Sequence, residues 1–184
     1  IERSAVVMGV SVMGGASLLG KLVMGSLSDR VEPVRIISIA ALLIAAKQAM
    51  SFIPNFEPVT LLLILYTLHF PRMTPLIIYV FVAVQVLLYG FNVWVYMYLY
   101  IWIILYAVVR LLARWGSYLL WIIVATVYGM LFGLLCSPVY LFIGGWNMAL
   151  SWFVSGIPYD IMHGIGNAIM VAVLFIPLGK LFTR

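Results

Sequence analysis

The side chains best equipped for chemistry lie in one short stretch: Tyr159, Asp160, His163 and Asn167. Asp160 is the only acidic residue after Glu57, and His163 is one of two histidines. On a helix, Asp160 and His163 stand at i, i+3, and His163 and Asn167 at i, i+4, so the three form one stripe. Tyr159 lies four residues before His163, near the same face. A carboxylate and an imidazole so placed suit either general acid–base catalysis or the recognition of a polar ligand. A plainer account of Asp160 alone is a first-turn acid favoured by the helix dipole, since Pro158 suits a first turn and Ser155 or Gly156 a cap. Catalysis would need more than this. There is no nucleophile beside a base, no second carboxylate near Asp160 in sequence, no metal-ligand spacing and no Gly-x-x-x-x-Gly-Lys-Ser/Thr loop for nucleotide. The expectation is a ligand site rather than an active site: no catalytic residue, no metal, no cofactor.

The elements that must hold this stripe are set by composition. Of 184 residues, 66% are hydrophobic and 8% charged, with a mean hydropathy of +1.22. Soluble domains carry about 25% charged residues, so lipid is the expected solvent. The net charge of +5 is not gathered into a basic patch with interleaved aromatics, which excludes nucleic acid as a partner. Cys136, the only cysteine, lies in an apolar run and reads as a small buried hydrophobe. No basic leader with a cleavage site opens the chain, so no signal peptide is expected.

A bilayer core takes about 20 helical residues to cross. On that measure the spans are Val34–Pro54, Glu57–Phe70 (short), Thr74–Phe91, Val93–Leu112, Ser117–Ile143 and Pro158–Phe182. Arg35 precedes the first, Arg72 lies between the second and third, Arg110 and Arg114 between the fourth and fifth, and Lys180 and Arg184 near the end. The other three connections hold no Lys or Arg. That alternation is the positive-inside pattern of six helices with both termini cytoplasmic. The expected fold is all-α: a polytopic membrane protein, a six-helix bundle over 34–184, with an additional N-terminal hydrophobic segment over 1–33.

Within this frame several residues point to packing or binding. Ala41, Ala45 and Ala49 recur every fourth residue, leaving a groove where a helix can approach closely, either inside the bundle or from a partner. Lys47 can snorkel, pair with Glu57 or line a cavity. Asn55-Phe56-Glu57-Pro58 reads as a helix start, with Asn55 as the cap and Glu57 favoured by the dipole. Trp94, Tyr98, Trp102 and Tyr106 fall on one face of the fourth span. At about 1.5 Å per residue this ladder descends roughly 18 Å, too deep for an interfacial belt alone. Bundle packing or an aromatic wall for a planar ring remain. The connection from Gly144 to Gly156 is long, uncharged and carries Trp146 and Trp152, as a lid or a membrane-lying loop would. A stripe of ionisable groups at membrane depth costs roughly 2.5–3.5 kcal/mol per charged residue on insertion scales, so it is expected to face a polar cavity. His69, beside Pro71 and Arg72, reads as interfacial.

Six helices and the alanine spacing, together with Pro54-Asn55-Phe56-Glu57-Pro58-Val59-Thr60-Leu61-Leu62, Leu88-Tyr89-Gly90-Phe91, Phe142-Ile143-Gly144-Gly145-Trp146 and Gly156 to Asn167, resemble the substrate-binding S components of energy-coupling factor (ECF) vitamin transporters. The resemblance covers Val34 to Arg184. It implies capture of a vitamin or related micronutrient from the outer face, in the plasma membrane of a bacterium or archaeon. It also implies docking through Ala41, Ala45 and Ala49 onto a transmembrane coupling subunit driven by two ATPase subunits. The residues themselves suggest the pocket: Trp94, Tyr98, Trp102, Trp146, Trp152, Tyr159, Asp160, His163 and Asn167. Residues 1–33 depart from that family. Their Gly25-Ser26-Leu27-Ser28-Asp29-Arg30 is similar to a helix-loop fragment of major facilitator transporters. The alternatives are a self-sufficient small transporter or channel, and a small intramembrane enzyme using Asp160 and His163.

Overall fold

The computed structural model describes residues 33–52 and 56–182. The N-terminal extension up to residue 32, with its Asp29-Arg30 motif, lies outside the described residues, as do the proposed cap Asn55 and the terminal Arg184. The described chain is all-helical. Its elements are α1 (Pro33–Ala49), α2 (Val59–His69), α3 (Thr74–Tyr89), α4 (Val93–Leu112), a 3-10 turn (Ala113–Trp115), α5 (Tyr118–Met130) and α6 (Phe132–Phe182).

The boundaries follow local chemistry. Gly90 ends α3 at φ +77°, a left-handed conformation that glycine adopts without strain. The Asn92 side chain then accepts a hydrogen bond from the Val93 N–H to start α4, and Ser117 Oγ accepts from Leu120 N–H to start α5. Between α5 and α6 there is only a local step. Leu131 N–H still reaches Val127 O, and Leu135 N–H reaches Leu131 O. The real break lies inside α6, at Gly144 and Gly145, the latter with φ +73°. It divides α6 into arms 132–143 and 146–182. The structure differs here from the sequence reading. The stretch 146–157, expected as an outer loop, is helical, and Pro158 sits inside the second arm rather than at its start. Pro158 forfeits one backbone hydrogen bond, and the helix continues through it on both sides.

α2 is the axis of the bundle. All residues from Val59 to Thr67 are buried. With no face turned outward, its 11 residues need not match any membrane thickness. α1 and α3, at 17 and 16 residues, also fall short of about 20. Among the described residues, two continuous helical stretches are long and apolar enough to cross a membrane: Val93–Trp115, and Tyr118–Phe182 with its internal break. α1 turns Ile36, Ala40 and Leu43 inward, and leaves Ala41, Ala45 and Ala49 exposed. The outer surface is as oily as the core: Leu87 is 83% exposed, Phe142 88% and Val34 74%.

Contacts between the helix ends define two poles. At one, Arg35 stacks over Phe70, Phe70 packs edge-on against Phe182, and Tyr106 OH donates to Pro71 O. Tyr118 OH donates to Ala172 O near the same pole. Arg72, Arg110, Arg114 and Lys180 lie in or beside these segments, so this pole is cationic. At the other pole Lys47 meets Glu57 at 3.2 Å and lies over Tyr89, beside the start of α4. Lys47 is the one described lysine or arginine at that pole.

Candidate functional site

The polar stripe sits on the second arm of α6, against α5 and the first arm. Small residues bring the two backbones together. Gly129 faces Gly164 so closely that a Cβ on Gly129 would lie 2.8 Å from the Gly164 backbone. A Cβ on Gly164 would reach within 3.0 Å of Thr126 O. Ala125, Gly129 and Gly133 repeat every fourth residue, and Asp160 and Gly164 match them from the other side. Polar groups close the seam above and below. Asn167 Nδ2 donates to Ala125 O at 3.1 Å. Gly133 N–H donates to both Asp160 oxygens, at 3.0 and 3.1 Å. That N–H lies just past the step between α5 and α6, where the helical ladder is interrupted, and Asp160 supplies its acceptor. A side chain at Gly133 would overlap the Asp160 carboxylate.

Toward the pole of Lys47 and Glu57 the two arms of α6 diverge and α4 joins them around a cavity of about 380 Å³. That volume lies at the small end of the range for ligand sites. Of the residues singled out from sequence, Trp94, Tyr98, Trp152, Tyr159, Asp160 and His163 line it. So do Met97, Phe132, Gly133, Cys136, Tyr140, Ser155 and Gly156, which sequence reasoning did not select. The walls are chiefly aromatic. Trp94 meets Tyr98 at 5.1 Å between ring centroids, and Tyr98 meets Trp102 at 5.3 Å, both edge to face. Tyr140 and Trp152 stack at 4.1 Å across the diverging arms. His163 packs edge-on to Phe132 at 4.8 Å. Asp160 is the polar floor, 7% exposed and already engaged by Gly133.

Comparison with models of protein families, with curated proteins and with solved structures finds no match.

The remaining expected residues fall elsewhere. Trp102 is buried beneath the cavity, where with Tyr98, Phe132 and His163 it borders a second, smaller space of about 90 Å³ that also touches Glu57, Val59 and Thr60. Asn167 belongs to the helix seam rather than to the cavity wall. Trp146 follows the Gly144–Gly145 break, is 75% exposed and lies outside the cavity. Tyr106, the last rung of the ladder, turns to the cationic pole. A third space of about 290 Å³ opens between Lys47, Gln85, Tyr89, Trp94 and Tyr98. The residues that were missed had one legible signal. Gly129, Gly133, Cys136 and Tyr140 lie at spacings of four, three and four, as the inward face of a helix must. Among the described residues no group of His, Cys, Asp or Glu could hold a metal ion.

Proposed function

We propose that this chain is the substrate-binding subunit of an ECF-type importer. It captures a small ring-containing micronutrient and hands it on through a transmembrane coupling subunit worked by two ATPases. The observation that carries this reading is the aromatic cavity at the pole opposite the cationic one. By the positive-inside rule the cationic pole faces the cytoplasm, so the cavity faces outward. Aromatic walls with a few convergent polar groups suit capture of a planar ring rather than bond making. Asp160 is held against the backbone by Gly133, which fits a fixed hydrogen-bonding floor better than a mobile acid or base. The exposed alanines of α1 offer the close-approach surface that docking on a coupling subunit requires. In this reading helices α1 to α4, α5 with the first arm of α6, and the second arm are six membrane spans with the C-terminus cytoplasmic.

The test is uptake by proteoliposomes holding the chain alone or with an ECF module, after the bound compound has been identified by mass spectrometry of the purified protein. ATP-dependent uptake only with the module is the expected result. Uptake by the lone chain would replace this reading with a self-sufficient transporter, and chemical conversion of the compound with an enzyme.

A further inference from the structure

Among the described residues, three buried polar atoms have no hydrogen-bond partner: Thr60 Oγ1, Gln85 Nε2 and Trp102 Nε1. Their residues are 1%, 2% and 2% exposed. Such atoms are rare in folded proteins, because an unmet buried donor forfeits its hydration for nothing in return. These three are not scattered. Thr60 and Trp102 border the small space that also meets Glu57 and His163, and Gln85 borders the space under Lys47 and Tyr89. Tyr98 lines both of these and the main cavity as well. The three spaces therefore adjoin around one side chain. The orphaned groups have a common character. An indole N–H and an amide NH2 can only donate, and a threonine hydroxyl can donate or accept.

We propose that the spaces around Tyr98 form the inner part of one binding site, and that its ligand is a planar heteroaromatic compound that leads with hydrogen-bond acceptors. Ring nitrogens or carbonyl oxygens on its leading edge accept from Trp102 Nε1 and Gln85 Nε2. The ring lies in the main cavity, against Trp94, Tyr98 and Trp152. This rests on the ligand-binding reading above and names the chemistry that it selects. A ring of the same size carrying only donors or no polar atoms leaves both groups unmet and is rejected, as sites with buried hydrogen-bonding groups reject analogues lacking the partner. Ordered water is the other possible occupant of the inner spaces, and the variants separate the two.

Two bicyclic probes decide the matter: pteridine-2,4-dione, with carbonyl oxygens and ring nitrogens, and indole, which has a single donor and no acceptor. Binding to the purified full chain in detergent is read by calorimetry. The dione should bind and indole should not. Trp102→Phe and Gln85→Leu should each weaken the dione about tenfold, the effect of one lost hydrogen bond. Thr60→Val, nearly isosteric, should leave the thermal midpoint of the empty protein unchanged or raised, because it removes an unmet group. No binding of the dione to the unaltered chain, equal binding of indole, or undiminished affinity in both variants overturns the proposal. A lowered midpoint in Thr60→Val shows a water-bridged structural role and also overturns it for that residue. No coupling module is needed, so binding without module-driven uptake would sink the importer reading while leaving this one standing.

Discussion

A carboxylate in an apolar helix seam is tolerable only if its oxygens are engaged, and Asp160 meets that condition through a single backbone N–H that would otherwise be stranded. The two groups are each other's solution. Asp160→Leu should therefore cost about 2–3 kcal/mol, leaving the Gly133 N–H buried and unmet, whereas Asp160→Asn retains an acceptor and should cost about 1 kcal/mol. Thermal unfolding in detergent tests the ranking, and equal midpoints for the two variants would show that the bond carries no stability. His163 differs. It lines the main cavity and the inner space and touches Phe132 through its ring edge. His163→Ala should lower affinity for a bound compound at least about fivefold while the protein still folds and inserts. Unchanged affinity would place the ligand elsewhere. At this scale the sequence was informative about residue type and spacing, but not about partner. The stripe of Asp160, His163 and Asn167 was visible as a stripe. That Asp160 and Asn167 would be claimed by Gly133 on the first arm of α6 and by Ala125 on α5 depends on tertiary register, which periodicity does not encode.

Among elements, the seam between α5 and the second arm of α6 is the most demanding piece of packing. Gly129 and Gly164 meet with no room between them, so Gly129→Ala must push backbone from backbone. A loss of about 2–3 kcal/mol is expected. Gly156 is the internal control, because a Cβ there meets nothing within 4 Å. Gly156→Ala should be neutral or stabilise the helix by up to about 1 kcal/mol. Denaturation of the two variants side by side measures the contrast, and similar effects would mean that the close approach is not maintained in solution. On α1, Ala45→Leu should abolish module-driven uptake without altering binding to the purified chain, since Ala45 is exposed and lines none of the three spaces. Full uptake in that variant would remove the docking role. The helices themselves were readable from apolar length and from Gly, Asn and Ser at their ends. The helical stretch 146–157 was not, because Gly156 and Pro158 carry the local signature of a helix start, and only the packing of Ala149 and Tyr140–Trp152 shows that the helix has already begun.

For the molecule as a whole, orientation is the property on which the importer reading turns. The arginines at the ends of alternate helices were legible in the sequence, and the helix-end contacts bring those ends to one pole. In a chain whose native cysteine is replaced (Cys136→Ala), an impermeant maleimide applied to intact cells should label Asn147→Cys and not Arg114→Cys. The reverse pattern would invert the molecule and point its cavity inward. What composition could not supply was the interior arrangement. An apolar chain in lipid has little contrast between its inner and outer faces, so burial of Trp102 and exposure of Trp146 look alike until the helices are placed.

Cys136 is the one sulfhydryl in the chain, and it forms part of the cavity wall beside Gly133 and Tyr140. The protein thus carries a reporter of its own occupancy. Buried thiols react slowly, so a small permeant alkylating agent should modify that sulfur only slowly and at alkaline pH, and more slowly still when a compound fills the space. Candidate nutrients can be screened by the protection they confer, with no label, no transport partner and no prior guess at the molecule.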